Sequence, residues 1–317
     1  WVYLGTFDFD KGCNEFNRVV CTNKASRRGV VTTDAVRFGG GMGNIERGGY
    51  TSGLPRCLEG ARYYAQWAGA PYKVYGGRKG EDDYADDINT RSLMTNWLGG
   101  GSVYMPAKNG KHVPIELSLA LHSDAGYNKD GKSTVGALAI CTTDYNDGIL
   151  NSGISRFTSK DFARALRDNL VTDLTAQFGE FGKRYLWDRN YSETRLPEVP
   201  SAILEMLSHQ NFPDMRIAQD PLGKFYIARS IYKTILRFVN SNHGTRYVVQ
   251  PLAPQNFCVT QNQGVALLSW TAQLDKTEPS ARPTSYIIYK AEAFHKQVDK
   301  FNHSVGLFAQ IVLCECA

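Results

Sequence analysis

The sequence predicts an α/β protein with a mostly parallel β-sheet and flanking helices, bordered on both sides by β-sandwich fragments. Across residues 53–245, short apolar, β-branched runs alternate with longer segments whose apolar residues recur at helical spacing. This alternation is typical of strand–helix–strand units, whose crossover helices cover a parallel sheet. The bordering regions, residues 1–38 and 251–317, lack the helical pattern and hold short strand-like runs.

Composition narrows the class of protein. The 317 residues carry a net charge of +5, and 42% are hydrophobic and 21% charged, which excludes wholesale disorder. No apolar run approaches the roughly 18 residues of a membrane-spanning helix, and no basic block is typical of a nucleic-acid interface. The seven cysteines form neither a disulfide framework nor a Cys-x-x-Cys metal pair. Because the chain begins at Trp1 within a predicted strand, we expect a processed end.

Apolar spacing predicts the elements of the central region. Thr158 and Asp161 resemble a capping box, and Asp220-Pro221 is typical of an N-cap followed by a first-turn proline. The expected elements are a helix at 58–67, a strand at 72–75, a helix within 81–97, strands at 115–122 and 137–141, a helix at 160–178, a strand at 201–206 and a helix from 221 onward. The positions expected to be buried on the last helix are Phe225, Ala228, Ile231, Tyr232, Ile235, Leu236 and Val239.

The two ends of the chain predict only partial β-domains. Three short strands in under 40 residues make a poor independent core, so we expect residues 1–38 to be the end of a β-sandwich. The Gly-rich stretch 39–52 lacks the Lys-Ser/Thr pair of a phosphate-binding loop and predicts a connector. The strand-like runs at the ends are 1–7, 18–20, 29–38, 257–260, 265–270 and 286–290, with a linker at 251–254.

His122 is the first candidate for chemistry. It follows the apolar run Leu119-Ala120-Leu121 and precedes Ser123-Asp124. Ligands of open α/β sheets bind just beyond the carboxyl ends of strands, so we expect His122 to point into a crevice. A neutral imidazole suits Zn²⁺, although a strand-end histidine can equally serve a local hydrogen bond.

Glu205 is the second candidate, as the only charge in the run Ser201–Leu207. Burial raises the pKa of a carboxyl toward the range useful for proton transfer. The alternative is a salt-bridged glutamate at a strand end. His209 and Asn211 follow in a turn and could line the same crevice.

The segment 188–195, dense in polar and aromatic residues, predicts a substrate-lining loop that offers Arg189 and Arg195 as binding residues. Tyr191 with either arginine could also form the proton-transfer pair of a polysaccharide lyase, although nothing singles these residues out.

The segments around His122 and Glu205 together resemble a known family. Leu121-His122-Ser123-Asp124-Ala125 is similar to the S-x-H-x-(N/D)-A segment of zinc-dependent N-acetylmuramoyl-L-alanine amidases (amidase type 3-like), and Pro200 to Asn211 is similar to their P-A-x-L-x-E-x-x-F-x-S-N segment. The resemblance covers roughly residues 40–245. It implies an amidase-like fold, peptidoglycan or another glycan polymer as partner, His122 as a zinc ligand and Glu205 as catalytic acid/base. The residues expected to contact substrate are Arg189, Arg195 and Asn211.

The chain departs from the family at its first metal motif, Asp-Pro-Gly-His-Gly, because Arg37 stands where the ligand histidine would be. The second ligand, a helix-borne glutamate, also has no match. We therefore expect both ligands, with the first strand and helix of the domain, to lie upstream of Trp1. Since catalytic zinc needs three protein ligands, the chain alone is expected to be an incomplete amidase-like domain that binds zinc weakly or not at all and has impaired activity.

The flanking regions add to the resemblance. Residues 1–38 are similar to the end of a golvesin-like β-domain, and residues 251–317 to the first part of a fibronectin type III domain, with Trp270 and Tyr286 among the matching residues. The combination, with an amidase-like region at 39–248, resembles Bacteroidetes proteins labelled "xanthan lyase". It implies a secreted protein in an extracellular, periplasmic or cell-surface location. The alternatives are a non-catalytic glycan-binding or adhesion protein and a polysaccharide lyase-like enzyme.

Overall fold

The structure is a computed structural model, and it describes residues 4, 7–12, 14–31, 36, 52–54, 58–79, 81–263, 265–290 and 309–312. The chain divides into two compact units, Trp1–Ile115 and Glu116–Ala317. Each unit is described by itself below.

Among the described residues of the first unit, the regular secondary structure is helical. Its helices are α1 (Ala61–Trp67), α2 (Tyr72–Tyr75) and α3 (Asp83–Gly99). The strand predicted at 72–75 is wrong, because these residues form the single turn α2 after Pro71. A helical turn lets the neighbours Val74 and Tyr75 both be buried in one cluster, whereas a strand would point them to opposite sides.

A buried arginine holds these helices together. The guanidinium of Arg62 on α1 donates from Nε to the Tyr75 carbonyl over 3.2 Å and from Nη1 to Asp83. Asp86 on α3 lies 4.0 Å from Arg62 Nε. Arg62 thus makes an interhelix contact.

The predicted N-terminal strands are only partly covered by the structure. Residues 18–20 are described, exposed and in no strand, so that strand prediction is wrong. The runs 1–7 and 29–38, including Arg37, lie largely outside the described residues, and the golvesin-like domain stays a prediction.

The second unit contains a four-stranded sheet. Its strands are β1 (Ser118–Asp124), β2 (Ala137–Cys141), β3 (Lys183–Asp188) and β4 (Ser201–Ser208), in the order β1-β4-β2-β3. β1 is parallel to β4 and β2 is parallel to β3, while the central pair of β2 and β4 is antiparallel. The predicted mixed α/β fold with a mostly parallel sheet and flanking helices is confirmed.

The long helix α4 (Phe157–Phe178) packs against one face of this sheet, and the long helix α7 (Pro221–His243) packs against α4 and contributes to the same core. Two shorter helices are α5 (Ser192–Arg195) and α6 (Phe212–Gln219). Apolar side chains from the sheet meet α4 and α7 in the main hydrophobic core. Its fully buried members include Ala137, Ala139, Phe162, Leu166, Leu170, Leu174, Ala202 and Leu204.

The predicted helix starts had different outcomes. On α7, Asp220 caps the helix by accepting from the Leu222 N–H over 2.8 Å, and Pro221 occupies the first turn, as expected. On α4, the helix begins at Phe157 after Arg156 with no side-chain cap, so the capping box of Thr158 and Asp161 does not form.

The predicted buried face of α7 is partly wrong. Phe225 and Tyr232 are 48% and 40% exposed, respectively. Ile227, Arg229 and Lys233 are buried instead. The buried arginine and lysine are possible because acidic partners meet them: Arg229 Nε lies 2.8 Å from Asp275, whose carboxylate is also 3.4 Å from Lys233 Nζ.

The C-terminal region begins with an exposed antiparallel hairpin of β5 (Gln255–Asn262) and β6 (Val265–Thr271). A second antiparallel pair joins β7 (Ile287–Lys290) to β8 (Ala309–Val312). The fibronectin type III-like identity and the domain boundaries stay predictions. Among the helices of the described residues, none has both the length and the apolar character needed to cross a membrane.

Candidate active site

His122 and Glu205 lie side by side in the sheet. They are register partners on the parallel strands β1 and β4, in a ladder that also pairs Leu121 with Leu204. Side chains at paired positions of neighbouring strands point to the same face. The strand pairing therefore places the imidazole and the carboxyl, 83 positions apart by their numbers, on one surface.

The face that carries this pair is the one opposite α4 and α7. Leu204 points into the main core, so the next residue, Glu205, points the other way. A small apolar cluster of Leu138, Ile140 and Ile203 lies on that face, since Leu138 and Ile140 are the β2 partners of Glu205 and Ile203. The pair thus lies on a sheet face, before the strand ends rather than in a crevice beyond them.

Glu205 is half-buried, and one of its carboxyl oxygens makes no hydrogen bond among the described residues. Within the described part of the chain, its Oε2 atom is buried without a hydrogen-bond partner. Burial is the largest influence and raises the pKa of the Glu205 carboxyl. The charges of His122 and Arg184 oppose this rise, and those of Asp124 and Glu193 add to it. A carboxyl in this condition holds a proton more readily than an exposed one.

His122 is held by a carboxylate that the sequence did not single out. Its Nε2 atom donates to Glu193 Oε2 over 3.0 Å, and the two side chains are 34% and 14% exposed. Glu193 lies on the one-turn helix α5, within the segment 188–195 that the sequence predicts to line a site. Its partner is 71 positions away, so no local pattern could have shown the contact.

A second ion pair lies at the carboxyl end of β1. Arg184 Nη1 on β3 lies 2.6 Å from Asp124 Oδ2. Beside it, Ser123 Oγ and His209 Nδ1 are 3.2 Å apart, so the predicted crevice residue His209 joins the end of β1 to the turn after β4. Both charges of the ion pair act on Glu205, which gives the site a mixed electrostatic environment.

Asn211 is buried away from any open surface, at 1% exposure. Its Nδ2 atom donates to the Ser133 carbonyl over 2.9 Å and to Asp214 Oδ2 over 2.5 Å. Its Oδ1 accepts from the Asn128 N–H over 3.2 Å. With these bonds, the predicted substrate-binding residue Asn211 positions the loop that follows β1.

Arg189 and Arg195 lie near the carboxyl ends of β2 and β3. Because β2 runs antiparallel to β4, these carboxyl ends lie at the opposite end of the strands from the carboxyl ends of β1 and β4. Arg189 is exposed, and its guanidinium lies 5.9 Å from the ring centre of Trp187. Arg195 donates to Asn190 Oδ1 over 2.7 Å and lies 5.7 Å from the ring of Tyr145.

The described residues do not by themselves fit a catalytic zinc site. Such a site needs three protein ligands and an open position, and the described part of the chain contains no group of three or more histidine, cysteine, aspartate or glutamate residues that could hold a metal. The Nε2–H of His122 is also engaged by Glu193.

No protein-family model matches the chain, and no curated protein matches it. Several solved structures do. An N-acetylmuramoyl-L-alanine amidase from Clostridium difficile 630 is 14% identical over 53% of this chain and 79% of its own, with a TM-score of 0.35. The CwlD amidase from Clostridioides difficile, in complex with the GerS lipoprotein, is 14% identical over 50% and 64%, with a TM-score of 0.36.

A third match is the N-acetylmuramyl-L-alanine amidase Ami1 from Mycobacterium smegmatis, which is 18% identical over 60% of this chain and 86% of its own, with a TM-score of 0.35. All three are named as amidases.

Proposed function

We propose that the protein is an amide hydrolase acting on peptidoglycan, with Glu205 as the residue that transfers protons. The observation that carries this proposal is the pairing of His122 with Glu205 on adjacent strands, where the carboxyl has a raised pKa and a buried oxygen without a partner. The motif resemblance supports the choice of an N-acetylmuramoyl-L-alanine bond. This substrate places the protein at the cell surface, in the periplasm or outside the cell.

Glu205 can perform both proton transfers of the reaction. Its carboxylate takes a proton from water while the water oxygen forms a bond to the carbonyl carbon of the scissile amide. When the tetrahedral intermediate collapses, the carbon–nitrogen bond breaks, and Glu205 returns the proton to the leaving amine. The products are a lactyl carboxylate and the free amino group of alanine. A carboxyl whose pKa is raised is better suited to this exchange than an exposed one.

The pair of His122 and Glu193 supports this chemistry from the neighbouring strand. The hydrogen bond to Glu193 fixes the orientation of the imidazole beside Glu205. A polar ring that is already fixed in this place needs no reorganisation as charge develops on the scissile amide. We assign Glu193 as a positioning residue, since it acts through His122.

The test compares the wild type with Glu205→Gln on purified insoluble peptidoglycan, by the release of new primary amino groups. The substitution removes the proton-transfer group, and we expect the rate to fall by roughly 10²- to 10⁴-fold. Glu180→Gln, which changes an exposed glutamate outside the sheet, is the matched control and keeps the wild-type rate.

Two results would overturn the proposal. Wild-type protein that binds peptidoglycan but releases no amino groups would favour the glycan-binding alternative. An unsaturated sugar product, detected by its ultraviolet absorbance, would favour the lyase alternative.

The zinc ion that the resemblance implies would polarise the scissile carbonyl when bound. Whether His122 contributes to zinc binding is tested by measuring the zinc content of wild type and of His122→Ala after both are equilibrated with the same zinc concentration. A lower content in the variant supports His122 as a ligand, and equal contents remove it from any metal site.

A further inference from the structure

The last strand of the sheet presents a row of three side chains that the proposed reaction does not use. Tyr185, Trp187 and Arg189 alternate along β3 and one residue past it, so they point to the same face. The tyrosine and tryptophan rings are nearly parallel, at 10° and 6.0 Å between centres. The Arg189 guanidinium continues the row, at 5.9 Å from the tryptophan ring. We call these three residues the aromatic row.

The backbone holds Arg189 in this row. Its N–H donates to the Cys141 carbonyl over 2.8 Å, which continues the pairing of β3 with β2 beyond Asp188. Thr143 and Lys160 bind the intervening Asp188 carboxylate, at 2.6 Å and 3.3 Å. The end of β3 is thus tied down on both sides, and the row is built on a strand rather than on a free loop.

The aromatic row shares its sheet face with Glu205. Trp187 packs against the small apolar cluster of Leu138, Ile140 and Ile203, and Ile140 is its strand partner. Leu138 on β2 is in turn the partner of Glu205. Only β2 separates the row from β4, and two steps of about 4.8 Å between strands give a separation on the order of 10 Å.

Packing explains Trp187 but not the outer part of the row. Tyr185 is 64% exposed at one end of the row, and Arg189 is exposed at the other end. An apolar ring face next to a guanidinium matches the two kinds of surface on a sugar ring: the carbon–hydrogen face stacks on an aromatic ring, and hydroxyl, amide and carboxylate groups accept from arginine. A nucleic acid fits less well, because the carboxylates of Glu193 and Glu205 on this face oppose phosphates.

We propose that the aromatic row is a binding subsite for the saccharide chain of the substrate. A sugar ring stacks on Tyr185, and Arg189, at the other end of the row, donates to polar substituents of a further sugar of the same chain. A chain held there on β3 extends across β2 toward His122 and Glu205, so the subsite retains the polymer while an attached amide is cleaved. This inference rests on the proposed function for the identity of the polymer, while the row itself can be tested without catalysis.

The experiment measures cosedimentation of the protein with insoluble peptidoglycan in a Glu205→Gln background, where no substrate is consumed. We expect Tyr185→Ala to weaken binding by roughly 3- to 10-fold, the range for losing one aromatic contact. Tyr185→Phe keeps the ring and is expected to bind as the background does. Tyr84→Ala, which removes a 78% exposed tyrosine on α3, is the matched control and leaves binding unchanged.

Equal binding by Tyr185→Ala and the background would overturn the subsite, as would a Tyr185→Phe variant as weak as the alanine variant. A second assay, on a short soluble muramoyl dipeptide, separates the two proposals. Tyr185→Ala alone should cleave it at the wild-type rate, because this substrate has no further sugar to reach β3. Activity retained by Glu205→Gln would overturn the hydrolase and leave the binding result standing.

Discussion

The two faces of the four-stranded sheet carry opposite kinds of surface. One face is covered by α4 and α7, and its side chains on the central strands β2 and β4 are mostly apolar and buried. The other holds only a small apolar cluster, and beside it lie an imidazole, a carboxyl and an exposed aromatic row. Consecutive residues of β4 belong to different faces: Leu204 faces the helices, and Glu205 faces away from them.

This difference shows why the candidate site lies on the second face. A carboxyl among the side chains of the main core would lose its hydration without finding any polar partner, at a cost of several kcal/mol. On the opposite face, Glu205 keeps one side open to polar neighbours while the apolar cluster removes part of its water. Partial burial is what raises its pKa without excluding it from the fold.

The largest expected effect comes from damaging the helix-covered face. Leu204→Ala leaves a cavity in the main core, and we expect the free energy of unfolding to fall by about 2–5 kcal/mol. Leu121→Ala, at the β1 partner of the same position, removes a 52% exposed side chain and should change it by less than about 0.5 kcal/mol. Urea denaturation measures both variants. Equal losses would mean that the two leucines are buried to a similar extent.

A smaller effect on stability is expected at Asp275, a buried carboxylate that pairs with Arg229 and Lys233 of α7. Burial alone would raise the pKa of Asp275, but the hydrogen bonds from Arg229 and Thr277 and the charge of Lys233 hold it below its ordinary value. Asp275→Asn leaves buried cations with a weaker acceptor, so we expect a loss of about 1–3 kcal/mol at pH 7.

The sign of the pH dependence follows from the lowered pKa of Asp275. A carboxylate of this kind stabilises the folded state above its unfolded pKa, and the contribution is lost as the pH falls through the lower folded pKa. The stability difference between wild type and Asp275→Asn should therefore shrink below about pH 4. A difference that stays constant to pH 2 would rule out this carboxylate as its source.

The smallest expected change in stability is at Glu205, and its sign is opposite. Because the folded pKa is raised, ionised Glu205 disfavours the folded state, increasingly as the pH rises from the unfolded value of about 4.3 through the folded one. Glu205→Gln should then be at least as stable as wild type at pH 7, with the advantage disappearing near pH 4. Thermal unfolding at both pH values measures this. A variant that is less stable only at pH 7 would indicate a stabilising ion pair instead.

Local pattern was enough to predict much of this architecture. The apolar runs of β2 and β4 and the helical spacing of α4 and α7 indicated the central elements, and the Asp220 cap of α7 depends only on neighbouring residues. His122 and Glu205 stood out because a charged or titratable group within or beside an apolar run is unusual. These features could be predicted because burial periodicity and capping are properties of a few consecutive residues.

Tertiary structure alone decided how these pieces meet. The antiparallel pairing of β2 with β4 places Arg189 and Arg195 at the opposite end of the sheet's strands from the carboxyl end of β1. Glu193 contacts His122, which lies 71 positions away in the sequence. Tertiary contacts also account for the burial of Asn211 and for the helical turn at residues 72–75. Strand direction, register and partner choice depend on contacts between distant segments, and alternation along one segment carries no information about them.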